Sequence, residues 1–135
     1  MSKRLMEFAK EYSAAWAGHD PDAIAAMHTD DSVFELHDVA SATGRAAVRD
    51  LIVTLLAAVP NLRFDLKRAH FGAEHFVTEY VMSGTAQGKP LAIAGADVFT
   101  MREGLVGRKD TYLDWLGYQR QVGVDPVTTL KSPGR

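Results

Sequence analysis

The sequence predicts an α+β fold, three N-terminal helices packed on the concave face of a curled antiparallel sheet, and two observations carry that prediction. Apolar residues recur at spacings of three and four through the first half of the chain, then switch to alternation with polar residues in the second. A change from the helical to the extended period, with the helices first, marks segregated α and β layers. A third observation concerns function. Asp97 interrupts the otherwise apolar run from Ala92 to Met101, and a lone carboxylate is costly to bury unless it is paired, protonated or used by a ligand.

Leu5, Phe8, Tyr12 and Trp16 share one face of a first helix that starts near Ser2 and ends before Gly18. Asp20-Pro21-Asp22 restarts the chain, because a capping aspartate, a first-turn proline and an acid at the positive end of the helix dipole all favour initiation. Ile24 and Met27 give this short helix its apolar side, and Val33-Phe34-Glu35-Leu36 reads as a brief strand. After Gly44, the residues Val48, Leu51, Ile52, Leu55, Leu56 and Val59 form the broad apolar stripe of a third helix, which Pro60 terminates. Leu62, Phe64 and Leu66 then alternate with Arg63, Asp65 and Lys67, as a strand with one wet face does. Three more strands follow, from Phe76 to Ala86, Leu91 to Met101 and Leu105 to Leu116, joined by turns at Gln87-Gly88 and Arg102-Glu103-Gly104. Beyond Tyr118 the sequence reads as a polar tail with Gly123, Pro126, Pro133 and Gly134, so the domain is expected over residues 1–118 and the tail over 119–135.

Strand register decides which side chains share a face. With Ala86 opposite Lys89 and Met101 opposite Leu105, the expected cross-strand rows are Thr78, Asp97 and Lys109, then Tyr80, Gly95 and Thr111, then Met82, Ile93 and Leu113. These rows face the helices, and Gly95, lacking a side chain, is expected to leave a gap beside Asp97.

Composition narrows the function. With 15 basic and 17 acidic residues and no run of five like charges, the chain lacks the field that draws in nucleic acid or anionic membrane, and neither is expected as a partner. The absence of cysteine excludes disulfides, thiol catalysis and thiolate metal sites, and fits a cytoplasmic protein. With charge at Lys3, Arg4 and Glu7 before an apolar core can form, no signal peptide is expected in the N-terminal segment, and no stretch approaches membrane-spanning length. Five dispersed histidines carry no zinc-site spacing, no glycine-rich phosphate loop precedes a helix, and no G-x-S-x-G elbow is present. Neither a metal nor a cofactor is expected.

Several features together resemble the nuclear transport factor two-like superfamily, and within it the SnoaL-like polyketide cyclases, ketosteroid isomerases and limonene epoxide hydrolases. They are Tyr12 and Trp16 on the first helix, Asp30-Asp31 before a short strand, Gly44-Arg45 at the third helix, and Asp97-Val98-Phe99 followed by Glu103-Gly104 and Tyr112-Leu113-Asp114. The resemblance implies a cone-shaped α+β barrel with an apolar cavity, and a homodimer made through the outer sheet face at Val77, Val81, Val98 and Tyr112. By the ketosteroid isomerase pattern, Tyr12 matches the oxyanion tyrosine and Asp97 the protonated acid, while the general-base position falls on Leu36, which cannot move a proton. The epoxide hydrolase arginine and aspartates align with Tyr80, Met82 and Thr111, so that chemistry is not implied.

The expected ligand is a hydrophobic, carbonyl-bearing small molecule in a cavity lined by Phe8, Trp16, Phe34, Leu36, Leu55, Tyr80, Met82, Phe99 and Thr111. Asp97 is the candidate proton carrier or donor, Tyr12 the oxyanion donor, and His37 or Asp38 a second acid/base group for isomerase, cyclase or dehydratase chemistry. Lys109 tunes Asp97: pairing makes it an ionised base, whereas a lysine reaching the rim leaves it a neutral donor. Each reading has a structural rival. Asp97 and Lys109 also fit an ion pair under the helices, Tyr12 and Trp16 also fit a plain core face, and His37 also fits a surface loop. His19 and His28 read as residues of solvated helix ends, and His70 and His75 flank the turn at Gly72. The alternative function is a non-catalytic binding or interaction module of the same fold.

Overall fold

The computed structural model describes residues 3–130. The expected helix start at Ser2 and residues 131–135 of the expected tail lie outside them. Helix α1 (Lys3–Ala17) buries Leu5, Tyr12 and Trp16, and α2 (Pro21–Ala26) opens as anticipated, with the Asp20 carboxylate accepting from the amides of Asp22 and Ala23. The order then departs from helices first. Strands β1 (His28–Leu36) and β2 (Ala40–Thr43) form a hairpin before α3 (Arg45–Ala58). Its turn runs through His37 and Asp38, and Asp38 adopts the left-handed conformation at φ 71° that aspartate tolerates better than most residues.

Strands β3 (Arg63–Phe71), β4 (His75–Ala86), β5 (Lys89–Arg102) and β6 (Leu105–Leu113) complete a six-stranded, curled and unclosed sheet of order β2-β1-β6-β5-β4-β3. The sheet is not wholly antiparallel, because β1 runs parallel to β6, with Phe34 opposite Lys109 and Leu36 opposite Thr111. That pairing brings the N-terminal hairpin against the last strand. It is invisible to local pattern, since the two segments are joined only by the long excursion through α3 and the meander.

Register on β4 and β5 is as expected, with Ala86 opposite Lys89 and Thr78 opposite Asp97. On β6 it differs by two residues. Glu103 and Gly104, at φ 55° and 77°, make a two-residue turn that pairs Arg102 with Leu105, and an irregularity at Gly107 adds another step. Asp97 therefore faces Thr111, Phe99 faces Lys109 and Gly95 faces Leu113. A shift of one would have turned Lys109 outward; a shift of two keeps its face and changes only its partner. The expected gap at Gly95 is filled as well. A Cβ there would collide with Leu113 and come within 2.8 Å of Tyr80 Cε1, so the missing side chain makes room for the Tyr80 ring.

The chain past Leu113 also departs from expectation. Asp114 stops β6 by capping α4 (Trp115–Val122), accepting from the Gly117 amide at 2.9 Å, and Asp125 caps α5 (Pro126–Thr129). Tyr118, Val122 and Leu130 are buried in the same core as Phe34 and Leu51. Residues 119–130 are thus a packed part of the fold and not a solvated tail.

Candidate functional site

Alternation along β4, β5 and β6 sends Phe76, Tyr80, Asp97, Phe99, Lys109 and Thr111 to the concave face, where α1 lays Tyr12 and Trp16 over them. Between them lies a cavity of about 260 Å³ lined also by Ala9, Ser13, Ala17, Leu62, Arg63, Phe64, Leu66 and Thr78. A smaller recess of about 20 Å³ continues inward between Phe34, Leu36, Leu55, Met82, Thr111 and Leu113, and shares Trp16, Tyr80, Asp97 and Lys109 with the cavity. Apolar surface makes up most of the lining, and Tyr12, Trp16, Phe64, Phe76, Tyr80 and Phe99 contribute rings to it.

Asp97, only 7% exposed, sits on the cavity floor. Its Oδ1 accepts hydrogen bonds from Tyr80 Oη at 2.8 Å and Thr111 Oγ1 at 2.7 Å. Its Oδ2 lies 3.7 Å from Lys109 Nζ, an ion pair without a close hydrogen bond. Burial, and next the Asp97 charge, push the Tyr80 hydroxyl well above its ordinary pKa, so Tyr80 stays a donor.

Lys109 does not reach the rim. Its ammonium is 4.5 Å from the Trp16 ring centroid, 4.7 Å from Phe34, 5.1 Å from Tyr12 and 5.4 Å from Phe99. Four π faces and one carboxylate replace the water that a buried ammonium loses. Nζ donates one hydrogen bond, to Tyr12 Oη at 3.3 Å.

Tyr12 continues the polar chain away from the cavity. Its hydroxyl lies 2.9 Å from His28 Nε2, and His28 Nδ1 lies 2.9 Å from Ser32 Oγ. His28 is fully buried, in contrast to the expectation of a solvated helix end, because β1 begins at His28 and turns its ring inward. Burial, then the charges of Lys109 and Arg45, bring its pKa down to about 3, and the ring is neutral. A neutral imidazole has one donor and one acceptor nitrogen, so Ser32 and Tyr12 take opposite roles. The Tyr12 hydroxyl is itself raised, chiefly by burial, against the opposing effects of the Lys109 charge and the Trp16 N–H.

Of the residues predicted from sequence, the cavity gathers Tyr12, Trp16, Tyr80, Asp97, Phe99 and Lys109, and the recess adds Phe34, Leu36, Leu55, Met82 and Thr111. Phe8 lines neither; half-buried, it stacks behind Tyr12 with ring centroids 6.3 Å apart. His37 and Asp38 are also outside. His37 bonds Asp110 at 2.8 Å and stacks on Tyr112 at 4.1 Å, both on the outer sheet face, and Asp38 is exposed in the hairpin turn. Sequence reading missed Ser13, Phe64, Leu66 and Phe76 as lining residues, and His28 with Ser32 as the support of Tyr12. The alternation of Phe64 and Leu66 held the signal for two of them. Nothing local could have revealed His28, whose partner is 16 residues away.

Solved structures similar to this one share the architecture. A protein of ketosteroid isomerase-like fold from Catenulispora acidiphila, in complex with trimethylamine, is 23% identical and superposes with a TM-score of 0.80 over 87% of this chain and 93% of its own. A candidate polyketide cyclase from Xanthomonas campestris is 21% identical, with a TM-score of 0.81 over 89% of this chain and 97% of its own. TerC, co-crystallised with polyporic acid, is 12% identical, with a TM-score of 0.80 over 90% of this chain and 100% of its own. At these identities the likeness speaks of fold. Among curated proteins none matches the chain in sequence. The model of the SnoaL-like domain matches residues 9–108, which run from within α1 to the first part of β6 and include Tyr12, Tyr80 and Asp97, while Lys109 and Thr111 lie just beyond the match. The chain therefore belongs to the SnoaL-like domain family.

Proposed function

We propose that the protein is a cofactor-free acid/base enzyme of the isomerase, cyclase or dehydratase type, acting on a hydrophobic, carbonyl-bearing small molecule. The observation that carries this reading is the Asp97–Lys109 pair, in which carboxylate and ammonium lie 3.7 Å apart on the floor of an aromatic cavity. Oδ1 is satisfied by Tyr80 and Thr111, which leaves Oδ2 for a proton of the ligand. Asp97 Oδ2 takes a proton from the carbon next to the carbonyl, the C–H electron pair forms the C=C bond, and the carbonyl π pair moves onto oxygen. Lys109 balances the charge throughout, as it passes from Asp97 to the new enolate. The enolate then collects a proton at a different carbon or expels a leaving group, according to the substrate.

Tyr12 is assigned a positioning role, holding Lys109 on one side and anchored to His28 on the other. His37 and Asp38 take no part. The ligands of the neighbouring folds, trimethylamine and polyporic acid, agree with a cavity built for small molecules. Leu36 favours a second reading, a binding module without turnover, because it occupies the place where the ketosteroid isomerase pattern puts its base.

Hydrogen–deuterium exchange at the α-carbon of 2-tetralone, followed by NMR in D2O, separates the two. The enzyme reading expects exchange above the buffer rate, falling by about 10²- to 10⁴-fold in Asp97→Asn, the usual range for one acid/base group. Binding of 2-tetralone with no exchange above buffer assigns the protein to the binding class. We also propose that a second copy of the chain covers the outer sheet face, where Val77, Val81 and Val98 are half-buried and Tyr112 is 49% exposed.

A further inference from the structure

Lysine is among the residues least often buried, and where one lines an apolar cavity its amine can act as a carbonyl nucleophile. Lys3, Lys10, Lys67 and Lys89 are exposed, whereas Lys109 is 3% exposed and lines both the cavity and the recess. Of the side chains that bound this space, lysine is the one that condenses with a ketone or aldehyde. The surroundings suit each stage of that condensation. Asp97 Oδ2 lies 3.7 Å from Nζ and accepts no hydrogen bond among the described residues, since Tyr80 and Thr111 both bond Oδ1. A proton passed from Nζ to Oδ2 replaces two buried charges with two neutral groups, a change that desolvation favours, and it frees the amine lone pair. The rings of Trp16, Phe34, Tyr12 and Phe99 around Nζ serve the product as well as the resting lysine, because an iminium carries its positive charge in the same place.

We propose that Lys109 is a covalent nucleophile, whose Nζ condenses with a ketone or aldehyde ligand to an iminium, with Asp97 as proton acceptor and counter-ion. This goes beyond the enolate reading above, in which Lys109 forms no bond to the substrate. The step balances as follows. Asp97 Oδ2 takes a proton from Nζ, the amine lone pair forms a C–N bond to the carbonyl carbon, and the C=O π pair moves onto oxygen. A second proton passes from nitrogen to that oxygen and gives a neutral carbinolamine. Asp97 then returns its proton to the hydroxyl, the C–O bond breaks, and one water leaves with the oxygen. The nitrogen lone pair closes the C=N bond, so the site again holds one cation at Nζ and one carboxylate. From the iminium, Oδ2 can take a proton from the adjacent carbon, whose C–H pair forms C=C while the C=N π pair returns to nitrogen. Esters and amides do not condense in this way, so the ligand class narrows to ketones and aldehydes.

The test incubates the wild type with 2-tetralone and sodium cyanoborohydride, which delivers hydride to the iminium carbon and fixes the adduct as a secondary amine. Intact mass and peptide mapping are expected to show one tetralone, less its oxygen, attached at Lys109 before any of the exposed Lys3, Lys10, Lys67 and Lys89 is modified. Lys109→Arg keeps a cation without the nucleophile and is expected to lose this adduct completely. Asp97→Asn is expected to form it about 10²- to 10⁴-fold more slowly, the usual effect of removing one acid/base group. Labelling of Lys109 no faster than of the exposed lysines overturns the proposal, as does an unchanged rate in Asp97→Asn. Should either variant fail to fold, the order of labelling within the wild type decides by itself. Exchange at the α-carbon without an adduct would refute this inference alone, whereas an adduct without exchange would refute the enzyme reading and leave Lys109 as a covalent binding site.

Discussion

Asp97 and Lys109 hold each other in place, and the energetics of such a pair are asymmetric. Joint replacement by groups of similar shape is often nearly neutral, whereas removal of one partner strands a buried charge at a cost of about 3 to 5 kcal/mol. Lys109→Met is therefore expected to lower unfolding stability by about 3 kcal/mol in a urea titration, and Asp97→Asn with Lys109→Met to recover most of that loss. Recovery of nothing would mean that the four rings around Nζ, rather than the carboxylate, supply the stabilising contact. His28 adds a pH dependence with a definite sign. Its pKa is about 3 in the folded protein against an ordinary 6.5, so below about 6.5 the unfolded chain takes up a proton that the folded chain refuses. This contribution is present in full above pH 6.5 and is lost as pH falls towards 3, at up to about 1.4 kcal/mol per unit. Between pH 7 and pH 5 the wild type should lose about 2 kcal/mol more than His28→Gln, measured by urea midpoints; equal losses would show that His28 is not held neutral.

At the scale of elements, the C-terminal helices matter more than their composition indicates. Val122 and Leu130 are 2% and 1% exposed, and Gln121 bonds both the amide and the carbonyl of Ala92 on β5. Burial of one such aliphatic side chain is worth about 1.5 to 3 kcal/mol, so truncation after Gln119 is expected to cost at least 3 kcal/mol by thermal or urea unfolding. A loss below about 0.5 kcal/mol would return these residues to the status of a solvated tail. The sequence did contain the signals. Asp125-Pro126 repeats the Asp20-Pro21 start of α2, and Trp115, Tyr118 and Val122 keep helical spacing up to Gly123, whose φ of 85° suits a helix end. Prolines and glycines at short intervals concealed them. The hairpin at Arg102-Leu105 teaches a related lesson, since turn length and the irregularity at Gly107 each moved register by one and together spared the inward face of Lys109.

At the scale of the whole molecule, the sheet has one face committed to the cavity and core, and an outer face with Tyr112 49% exposed beside half-buried valines. Each chain has a mass of 14.8 kDa, so the proposed pairing predicts a sedimentation mass near twice that value, and Val98→Glu is expected to return it to that of one chain. A wild type that sediments as a single chain would refute the pairing. No helix among the described residues is long and apolar enough to cross a membrane.

What the sequence determined by itself was periodicity and its consequences. The switch of period placed α1, α3 and the meander, alternation put Tyr80, Asp97 and Lys109 on one face, and the features from Tyr12 to Asp114 were enough to recognise the family. Tertiary structure alone decided who meets whom. The parallel pairing of β1 with β6, the placement of Thr111 rather than Lys109 opposite Asp97, the burial of His28 behind Tyr12 and the exclusion of His37 from the cavity all depend on contacts between distant segments. The physical reason is that a repeat of two specifies a face and leaves the partner open, while partners are selected by turn geometry and by how helices and strands far apart in the chain close over the same space.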